Sequence, residues 1–404
     1  MPNQNVVFEN NSGQSLSGIL DLPDAPPVAY ALFAHCFTCS KNLKAATNIA
    51  RSLNDAGIAV LRFDFTGLGQ SEGEFSDTNF SSNVEDMLAA VDFMNREYAA
   101  PSILIGHSLG GTAVLQAAPA VNSAVAVATI GSPSEPVHVA RMFSDSKDTL
   151  SEQGEATVNL GGRPFLMKQQ FLDDLEQQDL QSSIGSLRKA LLVMHAPLDN
   201  IVEIDNASEL FAAAKHPKSF VSLDDADHLL SQEADSRYAG RVLAAWASRY
   251  LPDTALLPDA AEAKAGQVSA QTWLGGFRTE VQLGSHSLVA DEPRAVGGSD
   301  LGPTPYDLLS AALATCTSMT LRMYANHKKL KLESAKVTVA HDKVHAKDCE
   351  DCEAADGKID EFRRSIALEG DLSNEQRQRM LEIADRCPVH RTLHGEIKVR
   401  SRLA

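Results

Sequence analysis

The stretch Gly106-His107-Ser108-Leu109-Gly110 decides the fold of the first half of the chain. It follows the apolar run 102–105 and precedes the helix-prone stretch 111–118, so it occupies a sharp turn from a buried strand into a helix. The flanking glycines permit a strained turn that raises the Ser108 hydroxyl above the backbone. Backbone N–H groups at the start of the following helix point toward any anion that forms there. The pattern therefore predicts a nucleophilic serine at the carboxyl end of a strand.

A serine hydroxyl is unreactive at neutral pH, so this prediction requires a general base and an acid that orients the base. Asp199 follows the strand-like run 190–195, and His228 follows the run 219–223. Both therefore lie at carboxyl ends of strands, where an open parallel sheet collects its catalytic groups. The chain order Ser108, Asp199, His228 predicts the nucleophile, the orienting acid and the general base. Asp205 and Asp224 are weaker candidates for the orienting acid. Asp227 lies next to His228 in sequence, and we expect it to be solvated.

A further strand end supplies the remaining part of such a site. The segment His35-Cys36-Phe37-Thr38 follows the apolar run 28–34, and the backbone amide of Phe37 would join that of Leu109 as an oxyanion donor. With the turn Arg62-Phe63-Asp64-Phe65-Thr66-Gly67-Leu68-Gly69-Gln70-Ser71, these motifs make residues 1 to about 252 similar to the α/β-hydrolase family. The resemblance implies a serine esterase-like enzyme that cleaves carboxylic esters. One departure is Cys36, because the oxyanion loop of the family usually has His-Gly here.

Composition limits the class of protein. The chain has 404 residues, enough for two domains, and 44% of them are hydrophobic, enough for two cores. A formal net charge of −17 argues against nucleic acid or an anionic membrane as a partner. We see no run of roughly 18 apolar residues and no basic segment followed by an N-terminal apolar run, so we expect a cytoplasmic protein. Its six cysteines are too few for a disulfide scaffold, so we expect buried, catalytic or metal-binding thiols.

Hydrophobic periodicity predicts the organisation of the first domain. Six apolar runs lack polar alternation, as expected for strands buried on both faces of a parallel sheet: 28–34, 59–63, 102–106, 124–130, 190–195 and 219–223. Helical patterns separate these runs, which predicts a doubly wound α/β sheet. Residues of about 133–187 interrupt the alternation, and we expect a helical cap over an acyl pocket, with a plain surface excursion as the alternative. The domain spans 1–252, and a linker rich in Ala and acidic residues spans 253–267.

Residues 268–404 have a different pattern of predicted secondary structure. Alternating strand patterns accompany two helical patterns, at 305–329 and 374–386, without βαβ repetition, which predicts an α+β domain. The first helix is apolar nearly all the way round, so we expect it to be central and buried. It carries Cys316, and Cys387 follows the second helix in Arg386-Cys387-Pro388-Val389-His390-Arg391. Residues 269 to 404 thereby resemble the OsmC/Ohr family of thiol peroxidases.

The OsmC/Ohr resemblance implies roles for three residues. In that family a cysteine of the central helix is the peroxidatic thiolate, a second cysteine resolves it, and an arginine of the first hairpin lowers the pKa of the thiol; these positions match Cys316, Cys387 and Arg278. The resemblance also implies an organic hydroperoxide substrate, a dithiol reductant and a homodimer through this domain. Tyr306, followed by Asp307, stands where the family has the glutamate that orients the arginine. The alternative for Cys316 is an inert, buried helical thiol.

A third constellation consists of His341, His345, Cys349 and Cys352. Two imidazoles and two thiols at short spacings suit tetrahedral zinc. The cysteine pair follows the histidines, whereas in a zinc finger it precedes them, and acidic residues interleave the cysteines, which suits a solvated hairpin tip equally well. We therefore expect no cofactor, and we keep zinc as the weaker interpretation.

The sequence as a whole predicts a serine hydrolase for small-molecule carboxylic esters, joined to an OsmC-like domain that reduces organic hydroperoxides. Two alternatives concern the balance between the halves. In one, the thiol peroxidase is the main activity and the hydrolase half is minor or vestigial. In the other, the OsmC-like half serves only as a dimerisation module.

Overall fold

The computed structural model describes residues 3–160, 163–251, 266–273, 276–345 and 358–403. These fall into two compact units. The first comprises Met1–Glu262 with Trp273–Gly276, and the second comprises Ala263–Thr272 with Phe277–Ala404. Most of the predicted linker, 253–267, lies outside the described residues. Among the described residues, no helix has both the length and the apolar character needed to cross a membrane.

The strands of the first unit form a mixed sheet and a separate hairpin. In chain order they are β1 (Asn3–Glu9), β2 (Ser15–Asp21), β3 (Ala29–Ala34), β4 (Ile58–Phe63), β5 (Ile103–His107), β6 (Ala126–Ile130), β7 (Glu155–Leu160), β8 (Arg163–Lys168), β9 (Ala190–His195) and β10 (Lys218–Ser222). The eight-stranded sheet has the order β1-β2-β4-β3-β5-β6-β9-β10. The six strands from β4 to β10 in this order are parallel, whereas β2 is antiparallel to both of its neighbours.

Helices cover both faces of this sheet, as predicted for a doubly wound α/β fold. They are α1 (Lys44–Asp55), α2 (Phe80–Glu97), α3 (Leu109–Ala117), α4 (Lys147–Gln153), α5 (Gln169–Glu176), α6 (Leu180–Gly185), α7 (Asp205–Ala213) and α8 (Glu233–Ser248). Alternate residues of each strand enter different cores because successive side chains of a strand point to opposite faces. In β3, Phe33 packs in the core that contains α1 and α8, whereas Leu32 packs in the core that contains α2, α3 and α7.

The hairpin β1–β2 was not predicted from the sequence. Val6 and Phe8 of β1 are buried while Val7, between them, is 66% exposed, so the strand has one apolar face. Asn3-Gln4-Asn5 precedes these residues, and this polar stretch obscures the alternation. The hairpin extends the sheet and places Asp21, at the end of β2, beside β4.

The segment 133–187, predicted as a helical cap, contains a hairpin as well as helices. It holds a 3₁₀ stretch (Pro136–Ser146), then α4, the antiparallel pair β7–β8, α5 and α6. Ala156 and Val158 of β7 are buried at alternate positions, a pattern too short to distinguish from a helical one by sequence. Phe171 of α5 lies 5.0 Å from Phe37, ring centre to ring centre, so the segment packs against the loop after β3.

The second unit contains two small antiparallel sheets and helices. Its elements are β11 (Val268–Thr272), β12 (Thr279–Leu283), β13 (His286–Ala290), α9 (Pro305–Lys328), β14 (Lys331–His345), β15 (Lys358–Asp371), α10 (Asn374–Ala384) and α11 (Pro388–Leu393). Strands β11, β12 and β13 form one sheet, and β14 pairs with β15. Helix α9 begins at a capping box in which Thr304 and Asp307 bind each other's backbone amides.

The prediction that α9 is buried all round is wrong within a single chain. Its buried residues are spaced by four and form one stripe: Leu313, Thr317, Leu321 and Ala325. On the other side Met319 is 66% exposed and Met323 is 72% exposed. The apolar composition of the helix therefore exceeds what its own unit buries.

Candidate active site

The turn between β5 and α3 holds Ser108 in a strained conformation. Its backbone has φ 54° and ψ −127°, a region that non-glycine residues occupy only when the surrounding structure enforces it. The Ser108 amide donates to the carbonyl of Ile130 at 2.8 Å. A side chain at Gly106 would lie 2.2 Å from the carbonyl oxygen of Gly110, so this turn requires glycine there. The strain lifts the serine at the end of β5, as the sequence predicts.

Gly110 brings this turn into backbone contact with the end of β3. A Cβ atom at Gly110 would lie 2.4 Å from the carbonyl oxygen of His35 and 2.5 Å from that of Ala34. Phe37 and Leu109, whose amides are the predicted oxyanion donors, are buried in the same core. The absence of a side chain at Gly110 thus allows the two donor segments to approach each other.

Ser108, His228 and Asp199 are joined by hydrogen bonds. His228 Nε2 lies 3.1 Å from Ser108 Oγ, and His228 Nδ1 lies 2.7 Å from Asp199 Oδ2. The second carboxylate oxygen of Asp199 accepts the amides of Ile201 and Val202, each at 2.9 Å. Because the carboxylate can only accept, Nδ1 carries the proton and Nε2 is free to accept the serine hydroxyl.

The competing acids lie apart from His228 in this network. Asp205 is exposed at the start of α7. Asp224 accepts the hydroxyl of Ser222, and Asp227 accepts the amide of Ser231. Asp199 is 7% exposed, and burial alone favours its neutral form. The hydrogen bond from His228 and the amides of Val202 and Ile201 outweigh burial, so the pKa of Asp199 lies below its usual value and the carboxylate is ionised.

Three buried histidines that sequence reasoning missed surround this site. His35 follows β3, His107 ends β5 and His195 ends β9. Each donates a ring N–H to a carbonyl of a loop at the site: His35 to Cys36 at 2.7 Å, His107 to His228 at 2.7 Å and His195 to Val202 at 2.8 Å. The available signal is that each apolar strand run ends in histidine.

Burial keeps these histidines neutral. Removal from water lowers the pKa of His35 and of His195, and it lowers the pKa of His107 to about 3, with a smaller contribution from repulsion by His228. A neutral imidazole can donate one hydrogen bond without adding a charge beside the Asp199–His228 pair. The histidines can therefore hold the site's loops in place over the ordinary pH range.

The loop after β3 is held by a chain of buried charges. Lys41 Nζ lies 2.5 Å from Asp64 Oδ2, and the Lys41 carbonyl accepts a hydrogen bond from Arg62 Nη1. Arg62 Nε in turn lies 2.6 Å from a carboxylate oxygen of Asp21. Each buried charge therefore has a partner of opposite sign, as a buried charge requires. We call residues 35–41, anchored in this way, the oxyanion loop.

The cysteines of the oxyanion loop correct one prediction. We expected thiols throughout the chain, but Cys36 and Cys39 are joined by a disulfide with Cα atoms 5.3 Å apart. The Cys39 amide donates to the Cys36 carbonyl at 3.1 Å, so the pair closes a tight turn around Phe37. Cys36 was singled out in the sequence only as a departure from His-Gly, and its C-x-x-C spacing with Cys39 was the signal that was missed.

In the second unit, Cys387 occupies a polar niche at the start of α11. Its sulfur accepts the His390 amide at 3.3 Å and the Thr317 hydroxyl at 3.5 Å. Cys316 precedes Thr317 in α9 and is half-buried. Both cysteines are free thiols. The structure thus brings Cys387 against α9 at Thr317, the residue after Cys316.

Arg364, and not the predicted Arg278, forms a hydrogen bond at this niche among the described residues. Arg364 Nη1 lies 3.1 Å from Thr317 Oγ1, and Nη2 lies 2.5 Å from Asp385. Arg278 pairs with Glu280 at 3.4 Å, and among the described residues it makes no hydrogen bond to either thiol. Sequence gave no means of choosing Arg364 over its neighbour Arg363, which is exposed and pairs with Asp342.

A cavity of about 570 Å³ adjoins the niche. Its walls include apolar side chains such as Leu313 and Phe362. They also include polar and titratable groups of both signs: Tyr306, Asp360, Glu361, Arg364, His390 and His394. Tyr306, which stands at the position of the family glutamate, stacks on His341 with ring centres 4.2 Å apart. The tyrosine therefore serves as a wall of the cavity.

The predicted zinc ligands are only partly described. His341 Nε2 lies 2.9 Å from Asp360 Oδ1. Cys349, Cys352 and the side chain of His345 lie outside the described residues. In the part of the chain that the structure describes, no group of three or more His, Cys, Asp or Glu residues could hold a metal ion. Zinc binding by these four residues stays the weaker interpretation, and it is untested.

Comparison with known proteins assigns both units. A family model described as "Serine aminopeptidase, S33" matches residues 29–153. The crystal structure of the esterase domain of a Rhodothermus marinus protein shares 55% identity and a TM-score of 0.54, over 62% of this chain and 100% of that domain. The chain belongs to the α/β-hydrolase family. A model described as "OsmC-like protein" matches residues 297–402, so this α/β-hydrolase carries a C-terminal OsmC-like domain.

Two curated relatives resemble the α/β-hydrolase domain. The uncharacterized protein YfhR of Salmonella typhimurium is 27% identical over 233 residues, which are 56% of this chain and 74% of that protein. The mitochondrial palmitoyl-protein thioesterase ABHD10 of Rattus norvegicus is 31% identical over 108 residues, which are 24% of this chain and 35% of that protein. The similarity to ABHD10 thus concerns a fraction of either chain.

Proposed function

We propose that the first unit is a serine esterase in which Ser108, His228 and Asp199 form the catalytic triad. The observation that carries the proposal is the continuous set of hydrogen bonds from Ser108 Oγ through His228 to Asp199, at 3.1 and 2.7 Å. The strained backbone of Ser108 and the 55% identity to a domain described as an esterase support it further.

The geometry suits acyl transfer. Ser108 Oγ attacks the ester carbonyl while His228 Nε2 takes its proton, and ionised Asp199 stabilises the imidazolium that forms. The amides of Phe37 and Leu109 hold the negative oxygen of the tetrahedral intermediate. His228 then gives its proton to the departing alkoxide, leaving an acyl-serine that water hydrolyses by the same steps.

An apolar acyl group suits the aromatic cluster beside the predicted oxyanion donor Phe37. Phe37 of the oxyanion loop packs against Phe75 and Phe171, and Phe75 packs against Phe165, with ring centres 4.9 to 5.3 Å apart. Phe165 and Phe171 belong to the cap, so this segment would form a wall of the acyl pocket. The substrate class is a small carboxylic or thiol ester, the latter in keeping with the name of ABHD10.

The test compares matched variants of the full chain by fluorophosphonate labelling and by ester cleavage. Ser108→Ala should abolish labelling by a fluorophosphonate and lower cleavage of a short p-nitrophenyl ester by at least about 10⁴-fold, with an unchanged unfolding transition. Cys316→Ser is the control and should cleave the ester at the wild-type rate. Undiminished labelling of Ser108→Ala would remove Ser108 as the nucleophile.

A second activity, reduction of organic hydroperoxides, is favoured by the niche around Cys387 and the adjoining cavity. The thiolate of Cys316 would attack the peroxide, breaking the O–O bond, releasing the alcohol and forming a sulfenic acid. Cys387 would then attack that sulfur, expelling water and forming a disulfide that a dithiol reduces. The cation that stabilises the thiolate would be Arg278 or Arg364.

The hydroperoxide activity has its own test. Consumption of an organic hydroperoxide with a dithiol should be lost in Cys316→Ser and retained in Ser108→Ala. Cys387→Ser should leave Cys316 open to irreversible sulfinic acid formation, which mass spectrometry detects. If the wild-type protein does not turn over hydroperoxide, this second activity is contradicted and the alternative of a dimerisation module is favoured.

A homodimer through the OsmC-like domain would cover the exposed face of α9. Met319 and Met323 lie on this face, and monomeric proteins seldom expose such a contiguous apolar stripe. Replacing both with Asp should convert the dimer to a monomer in light scattering. Wild-type protein that is already monomeric would contradict this assignment.

A further inference from the structure

The pair Cys36–Cys39 takes no part in the proposed ester chemistry. The two residues have the C-x-x-C spacing, and their disulfide encloses Phe37 and Thr38. Cys36 is 6% exposed, whereas Cys39 is half-buried, so Cys39 is the more exposed residue of the pair. C-x-x-C pairs at accessible turns exchange between dithiol and disulfide in other proteins.

We infer that Cys36 and Cys39 form a thiol–disulfide site, reduced by a small or protein dithiol, that controls ester cleavage through the Phe37 amide. The inference rests on the proposed function of the first unit. It adds a redox site in the hydrolase domain, separate in sequence from the thiols Cys316 and Cys387.

The anchoring of the oxyanion loop explains why this disulfide matters. At one end the His35 ring binds the Cys36 carbonyl at 2.7 Å, and at the other end Lys41 is fixed by Asp64 and Arg62. Between these anchors, the backbone of Phe37 is held by the disulfide turn and by ring packing against Phe75 and Phe171. Reduction removes the covalent closure around the predicted donor while leaving both anchors in place.

The exchange follows ordinary thiol chemistry. A thiolate of the external dithiol attacks Cys39 Sγ, the S–S bond breaks, and Cys36 leaves as a thiolate that takes up a proton. The second thiol of the reagent then attacks the mixed disulfide, releasing Cys39 and leaving the reagent oxidised. Two electrons pass from the dithiol to the protein, and an oxidant such as diamide reverses the change.

The oxidised form should be the more active one, because a donor held in place costs no reorganisation in the transition state. Loss of a whole oxyanion donor costs about 10² to 10³ in turnover in other hydrolases. Since both anchors of the loop survive reduction, we expect kcat to fall about tenfold, with KM changed less than about twofold.

The experiment uses full-length Cys316→Ser/Cys387→Ser protein, oxidised with diamide or reduced with dithiothreitol and then freed of reagent. Differential alkylation reads the redox state on the tryptic peptide ending at Lys41, in which Cys36 and Cys39 are the only cysteines. Fluorophosphonate labelling and p-nitrophenyl ester kinetics read the active site. Two control variants are made in the same background: Cys39→Ser and the double variant Cys36→Ala/Cys39→Ala. Both should have the kcat of the reduced protein, and neither diamide nor dithiothreitol should change it.

We expect a disulfide after oxidation, two alkylated thiols after reduction, and a reversible, roughly tenfold difference in kcat between the two forms. Free thiols after oxidation, or kcat equal within about twofold in the two forms, would overturn this inference while ester cleavage stands. Absence of labelling and ester cleavage in both forms would overturn the proposed function and this inference together.

Discussion

The two units solve the problem of positioning reactive groups in different ways. In the first unit, Ser108, Asp199 and His228 follow the carboxyl ends of the parallel strands β5, β9 and β10, and direct hydrogen bonds of 2.7 to 3.1 Å join them. In the second, Cys387 at the start of α11 is held by the His390 amide and by Thr317 of α9, a helix with one buried stripe. The strand ends of one sheet thus bring the first group of residues together, whereas α9 buries one stripe and leaves its other side exposed.

The strongest way to break this comparison is to neutralise Asp199. Asp199→Asn keeps the shape of the side chain but cannot hold the proton on His228 Nδ1, so we expect turnover to fall about 10⁴-fold. Asp205→Asn, at the exposed start of α7, is the matched control and should leave turnover unchanged. The rate of ester cleavage is measured for both variants. A larger loss of turnover in Asp205→Asn than in Asp199→Asn would show that Asp199 is not the orienting acid.

A backbone test of the same unit uses Gly110. The added methyl of Gly110→Ala would lie within 2.5 Å of two carbonyl oxygens at the end of β3, so the turn and the oxyanion loop must separate. We expect about 10²-fold lower turnover, the size of a lost oxyanion donor, and a lower unfolding temperature. Gly185→Ala, where the added methyl meets nothing within 4 Å, should change neither. Wild-type activity in Gly110→Ala would show that this close approach is dispensable.

The second unit can be tested by comparing two arginines. Arg364 contacts Thr317 beside Cys387, whereas Arg278 pairs with Glu280 in its own hairpin. We expect Arg364→Gln to slow thiol oxidation by hydroperoxide about tenfold and Arg278→Gln to slow it less. Stopped-flow measurement of thiol loss compares the two variants. A larger loss in Arg278→Gln would mean that assembly brings this arginine to the thiol, so that the site is completed between chains.

The smallest effect concerns acid stability of the first unit. The pKa of His107 is about 3 in the fold, against about 6.5 in an unfolded chain, so the unfolded state binds an extra proton between these values. The free energy of unfolding therefore falls as pH falls through this window, by at most about 1.4 kcal/mol per pH unit for this histidine. His107→Gln should reduce the slope of unfolding free energy against pH, measured by urea titration at pH 7, 6 and 5, by up to about 1.4 kcal/mol per pH unit. His286→Gln, at an exposed position, should leave that slope unchanged. An unchanged slope in His107→Gln would contradict a neutral buried ring.

The sequence predicts the buried parts of the molecule better than its edges. The six apolar runs all form strands, and five of them are buried, because parallel strands buried on both faces are continuous apolar segments. The sixth, β10, is a half-exposed edge strand. The hairpins β1–β2 and β7–β8 were missed because each buries only alternate residues over a short length. Helix α9 shows the converse error, since apolar composition predicts burial but does not say by which chain.

The same difference applies to the sites. Ser108, Asp199 and His228 could be placed because each follows a recognisable strand, and chain order fixes their roles. The Arg364–Thr317 contact depends on how β15 lies against α9, which no local pattern encodes. The histidines at the strand ends were visible but ambiguous, because a lone histidine gives no sign of the carbonyl that its ring will bind.

The chain of charges from Asp21 to Asp64 has a consequence for dissecting or transplanting the hydrolase. Asp21 ends β2 and is the carboxylate partner of buried Arg62, whose other nitrogen holds the Lys41 carbonyl. A fragment begun at β3 would retain Ser108, Asp199 and His228 yet leave a buried guanidinium uncompensated, a defect worth about 3 to 5 kcal/mol. A fragment meant to keep the oxyanion loop folded must therefore include residues 1–21, although they are remote from Ser108 in sequence.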